Sequence, residues 1–115
     1  KRARAVAEAA TEHDRDEALQ GVRKAAKRLR YVAAATGESA ISAQAKTIQS
    51  LLGDHQDSVV SRTHLLGETD AAHAAGEDTF TYGVLYQQEE DLSQRCLEQL
   101  GSALKSLRRS VRKTR

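Results

Sequence analysis

The chain has no proline, no methionine and no tryptophan, and only one phenylalanine and three tyrosines among 115 residues. Without proline, nothing forces a break in a helix. With aromatics at 3%, stacking platforms for nucleic-acid bases are scarce, and the core has to come from Leu, Val, Ile and Ala. A single cysteine, Cys96, rules out an internal disulfide and a cysteine-rich metal site, and fits a reducing, cytoplasmic setting. No apolar run approaches the roughly 20 residues of a membrane span, and no signal-like segment opens the chain. Strand formers are nearly missing; Thr79-Phe-Thr-Tyr82 is the only short β-prone run.

Good helix formers fill the remainder. The length suits one modest domain. An all-α fold is expected: an antiparallel helical bundle of four to five helices occupying residues 1–115 as a single domain. With a core so rich in Ala, that bundle is expected to be marginally stable alone, or to lean on a partner surface. The first residue is Lys, and Lys1-Arg-Ala-Arg4 reads like the middle of a helix, so the chain is expected to be part of something larger.

A first helix is read from about Arg2 to Glu12, with Asp14 or Asp16 capping a second that runs to Thr36 and stops at Gly37. Ser39 is the expected cap of a third, carrying Ile41, Ala45, Ile48 and Leu52 on one face. Gly53 is expected to end or kink it. Asp54, with Asp57 three residues on, then resembles a capping pattern for a fourth helix reaching Ala75. Gly76-Glu-Asp-Thr79 reads as a loop. The last helix runs from about Phe80 to Lys113, with a seam at Leu97, Leu100, Leu104, Leu107 and Val111. Gly83 and Gly101 interrupt it at roughly 1 kcal/mol each relative to Ala.

The net charge of +2 hides strong segregation. Residues 1–36 carry nine Lys/Arg against five Asp/Glu, residues 37–94 two against ten, and residues 95–115 seven against one. The densest block is Val22-Arg-Lys-Ala-Ala-Lys-Arg-Leu-Arg-Tyr31. From Ala18 to Thr36 there is no acidic residue. Leu19, Val22, Ala26, Leu29 and Ala33 give the same helix an apolar seam. At about 100° per residue, Arg23, Lys27 and Arg30 fall beside that seam, and Lys24 and Arg28 lie further round. A solvated helix face usually mixes charge signs through i,i+4 pairs. A block of one sign repels itself, so either it is merely solvated or it serves a polyanion. Cations along about 28 Å of helix suit a chain of phosphates. Lys105, Arg108, Arg109, Arg112 and Lys113 repeat the theme, although cations near a helix C-terminus also complement its dipole.

Little else carries chemistry. His55, His64 and His73 are nine residues apart, so consecutive ones point to opposite sides of a helix. No His-x3-His or Glu-x-x-His pair exists, and no metal site is expected. His55 is either an exposed histidine or a hydrogen-bonding, anion-facing one. Asp54/Asp57 are explained by capping and Glu89-Glu-Asp91 by an exposed face. There is no Gly-rich phosphate loop and no nucleophile elbow. No catalytic residue and no cofactor are expected.

Two motifs together carry a resemblance. Leu19-Gln-Gly-Val-Arg-Lys-Ala-Ala-Lys-Arg-Leu-Arg-Tyr31, followed by Ile48-Gln-Ser-Leu-Leu-Gly-Asp-His-Gln-Asp57, resembles the CHAD family, the conserved histidine α-helical domain. Tyr82-Gly-Val-Leu85 resembles the Gly-Leu-Leu that opens a later helix there. The resemblance extends over nearly the whole chain and matches the second half of that family's two-bundle domain, the first half being absent. It implies non-catalytic binding of inorganic polyphosphate through a basic helical surface, with association with polyphosphate granules. Arg23, Lys27 and Arg30 match the family's basic helix, with Lys24, Arg28 and Tyr31 beside them; Lys46 and His55 fall in or near the second motif. Arg62 follows that motif, and Lys105 and Arg108 join by helix-level similarity. The histidine that usually precedes the basic run is Gln20 here, a hydrogen-bond donor without charge. The expected partners are polyphosphate or another polyanion, and a second copy or the missing half; no membrane is expected. A nucleic-acid-binding helical protein and a purely structural interaction module are the alternatives.

Overall fold

The computed structural model describes residues 2–113, with side chains from Thr11 onward. Among the described residues there are three long helices and no strand: α1 (Arg2–Ala35), α2 (Ser39–Ala74) and α3 (Phe80–Lys113). The fold class is as expected and the number of helices is not. Asp14 and Asp16 lie inside α1, and Gly53 and Asp54 lie inside α2. The physical reason is phase. The seam Ile41, Ala45, Ile48, Leu52 continues on the same face through His55, Val59 and Arg62, at unbroken 4,3 spacing, so both neighbours pack against α2 on either side of Gly53. That packing outweighs the roughly 1 kcal/mol that a glycine costs a helix. Phe80, Thr81 and Tyr82, the latter part of the β-prone run, form the first turn of α3.

Both connections are built alike. Gly37 (φ 81°) and Gly76 (φ 75°) are the residues of left-handed backbone. After α1, Glu38 N–H donates to the Ala33 carbonyl at 2.8 Å and Gly37 N–H to Ala34 at 3.3 Å; after α2, Glu77 N–H donates to Ala72 at 2.9 Å and Gly76 N–H to His73 at 3.0 Å. These are two Schellman closures, which need a residue without Cβ at the left-handed position. Ser39 does not cap α2: the cap position is Glu38, without a side-chain hydrogen bond. Asp78 does cap α3, its Oδ1 accepting from Phe80 N–H at 2.9 Å.

The helices run antiparallel in a body of 61 × 30 × 20 Å. α2 is central, and α1 and α3 each pack along it; among the described residues no α1 backbone approaches α3 closely. Ala26 of α1, Ile48 and Leu52 of α2 and Leu100 of α3 are buried together, flanked by Leu19, Val22, Leu97, Ala103, Leu104 and Leu107. This apolar cluster fills the half of the body nearest the α1–α2 turn. In the other half His55, Ser58 and Ser93 are buried polar residues, and Ala72 is a buried apolar one. Cys96 is buried between the two regions, and burial, with Asp54 nearby, pushes its thiol pKa up.

Candidate anion-binding face

Burial on α1 follows the helical wheel. Arg23 and Arg30, nearest the seam, are half-buried; Lys24, Lys27 and Arg28 are exposed, and so is Tyr31. The two half-buried guanidiniums lie against α2. Arg30 Nη1 donates to Gln49 Oε1 at 3.3 Å, and its guanidinium carbon sits 5.7 Å from the centre of the Tyr31 ring. Ser42 Oγ donates to the Arg30 backbone carbonyl at 3.1 Å. Arg23 lies over Gly53, with Nη2 3.4 Å from where a Cβ would stand. Lys46 is exposed and shares with Arg30 a hollow of about 370 Å³ at the α1–α2 turn. Lys24 lines another hollow with Gln20, Gln56, His13 and the carboxylates of Asp16 and Glu17.

An antiparallel register explains this pairing. On α2, Lys46, Gln49, Gly53 and Gln56 are spaced 3,4,3 and form one row. On α1, Gln20, Arg23, Lys27 and Arg30 run the opposite way at 3,4,3. Along this α1–α2 rim Arg23 and Arg30 therefore lie against Gly53 and Gln49, with Lys46 beside Arg30. Among the residues whose side chains are described, the ion pairs are His13–Glu17 at 3.3 Å and His64–Glu68 at 3.1 Å, and from Arg15 to Lys113 no lysine or arginine has a carboxylate within 4.0 Å.

The other candidate residues sit elsewhere. His55 is 2% exposed, which overturns the exposed reading of this histidine and leaves it no direct path to a polymer outside. Its position explains this: it is the next residue of the core seam after Leu52. Burial, then the charge of Arg15, holds its imidazole below the usual pKa, partly opposed by Asp16 and reinforced by Arg62. Its Nε2 has no hydrogen-bond partner. Arg62 turns toward α3, where Nη2 reaches Ser93 Oγ at 3.4 Å while its Nε is buried without a partner. Ser58 Oγ donates to the Glu89 carbonyl at 2.7 Å. Lys105 and Arg108 are exposed on α3, the helix not adjacent to α1. Among the described residues no cluster of three or more His, Cys, Asp or Glu has the geometry of a metal site, and no helix is long and apolar enough to cross a membrane.

Gln49 and Gly53 escaped the sequence reading. The one available signal was their spacing from Lys46, which mirrors the basic row of α1. It acquires meaning only with the register of the two helices.

The CHAD domain profile matches residues 1–66, so it spans α1 and most of α2, both motifs included, and stops short of Tyr82–Leu85. Two Mycobacterium tuberculosis proteins, the uncharacterized protein MT2285 of strain CDC 1551 / Oshkosh and the uncharacterized protein Rv2226 of strain H37Rv, are each 62% identical over 115 residues; the match covers 100% of this chain and 22% of the relative. The chain thus spans about a fifth of the length of the curated relatives it matches. No solved structure matches it.

Proposed function

The chain belongs to the CHAD domain family, and on that premise we propose that it binds inorganic polyphosphate along the α1–α2 rim without catalysing a reaction on it. The observation that carries this reading is the set of cations from Arg23 to Arg30 on α1, close together in sequence and none matched with a carboxylate. Like charges held side by side cost folding free energy, and a linear polyanion offsets that cost. Arg23, Lys27 and Arg30 form the inner row, Lys24 and Arg28 the outer, and Lys46 extends them past the turn. Arginine grips phosphoryl oxygens through paired N–H groups, and lysine acts as a point charge. Lys105 and Arg108 widen the contact on α3 for longer polymers. A polymer reaching several cations releases counterions from each, so affinity falls steeply as salt rises. Recruitment to polyphosphate granules would follow from the same contacts.

The test is charge reversal. Arg23, Lys27 and Arg30 changed together to Glu should abolish retention on immobilised polyphosphate while helix content stays that of the parent. A folded triple variant that binds undiminished refutes the proposal. Competition separates the alternatives: polyphosphate should displace the bound probe far better than RNA of equal charge, and the reverse order favours a nucleic-acid role. A salt-insensitive dimer with no affinity for either polymer would mark a structural module.

A further inference from the structure

Gly53 stands mid-helix at a position where any residue other than proline would serve α2 better, since glycine weakens a helix interior. The other glycines inside helices, Gly21, Gly67, Gly83 and Gly101, have open space where a Cβ would be; Gly53 alone has a side chain there, with Arg23 Nη2 at 3.4 Å and its guanidinium carbon at 3.8 Å. A Cβ fits at that distance as an ordinary contact, whereas a longer side chain would fill the volume the guanidinium occupies. One turn along the same row, Gln49 holds Arg30 by a hydrogen bond of 3.3 Å. The two α2 residues thus treat the two inner arginines differently: one by a bond, the other by vacating space.

We propose that Gly53 is a positioning residue for polyphosphate binding: its missing side chain seats the Arg23 guanidinium on α2, holding it half-buried and aimed along the rim. This rests on the polyphosphate reading for its functional consequence but not for the seat itself. A long side chain that would otherwise sample many rotamers is restricted before the anion arrives, so less freedom is lost on binding.

The experiment combines Gly53→Leu, Arg23→Ala and the double variant in polyphosphate titrations of the 115-residue chain, with nuclear Overhauser contacts measured in the free protein. Gly53→Leu should weaken binding by about the same factor as Arg23→Ala, roughly fivefold at about 0.1 M salt for one phosphate contact. The double variant should bind no more weakly than Arg23→Ala. Gly53→Leu with parental affinity overturns the proposal, as does a further loss in the double variant, which would mean that the leucine obstructs the rim by itself. In the parent protein, contacts are expected between Gly53 Hα and the guanidinium Hη protons of Arg23, and in Gly53→Ala between the new methyl and the same protons. Their absence overturns the seat even if the leucine variant fails to fold. If the parent does not bind polyphosphate at all while these contacts are present, the polyphosphate reading fails and the seat stands as a structural one only.

Discussion

The two halves of this bundle are made from one seam with two chemistries. Toward the α1–α2 turn, α2 offers Ile41, Ala45, Ile48 and Leu52, and the facing helices supply Ala26 and Leu100. Beyond Gly53 the same face of α2 offers His55, Ser58 and Arg62, met by Ser93 and the Glu89 carbonyl. In the first half, burial removes apolar surface from water and directly favours folding. In the second, more of the buried atoms are polar and each must find a partner to avoid a loss; His55 Nε2 and Arg62 Nε find none, as does Gln44 Oε1 in the first half. The difference teaches where the basic rim is anchored. Arg30, Gln49, Gly53 and Arg23 all stand beside the apolar half, so the inner arginines are carried by the part of the molecule with the apolar core.

The largest expected effect tests that asymmetry directly. Leu52→Ala, removing a side chain 4% exposed in the apolar cluster, should cost about 2–5 kcal/mol of stability in denaturant titrations. Ser58→Ala in the polar half should cost only about 1 kcal/mol, because it deletes one hydrogen bond to a carbonyl that already belongs to a helix. Equal losses at the two positions would erase the distinction between the halves. Hydrogen exchange sharpens it: amides of α2 between Ile41 and Leu52 should be better protected than those beyond Arg62.

A pair of glycines gives a finer comparison. Gly101 lies on α3 beside the apolar cluster and Gly67 on α2 in the polar half, and both have open space at the Cβ position. Each change to Ala should stabilise its helix by up to about 1 kcal/mol. If the body unfolds as one cooperative unit, both gains appear in the thermal midpoint. If the polar half opens on its own, only Gly101→Ala raises it, and Gly67→Ala acts on local exchange alone.

Much of this was legible beforehand, and the misses have identifiable causes. The apolar seam at Ile41, Ala45, Ile48 and Leu52 and the turns at Gly37 and Gly76 follow from periodicity and from glycine's access to left-handed backbone. The stop at Gly53 was misread because a glycine's local cost was weighed without the phase of the seam across it. Asp14 and Asp16 were misread as caps because nothing near them breaks a helix. The basic row was readable from the angles of Arg23, Lys27 and Arg30. Its second wall, Gln49 and Gly53, was not, because a register between helices is a tertiary fact. The exposed alternative for His55 survived because the seam was stopped at Gly53; carried on at 4,3 spacing through Val59, it takes His55 and Arg62 inward.

Acid is the last way to divide the halves, because the polar one holds the buried histidine. The imidazole of His55 is kept below its ordinary value of 6.5 by burial first and by Arg15 next, with Asp16 opposing and Arg62 adding. Folded and unfolded chains therefore differ in protons bound. Above about pH 6.5 both hold a neutral imidazole, and the stability linked to this group is fully present. As pH falls below that point the unfolded chain takes up the proton and the folded chain resists, so stability declines until the folded pKa is reached. Denaturation midpoints measured from about pH 8 to pH 5 should fall for the parent, and His55→Gln should remove that part of the slope. Because the rim is anchored on the apolar half, hydrogen exchange at the lower pH should loosen α2 beyond His55 before it loosens Ile48. Equal slopes in parent and variant, or loosening that begins at Ile48, would show that the two halves answer acid as one.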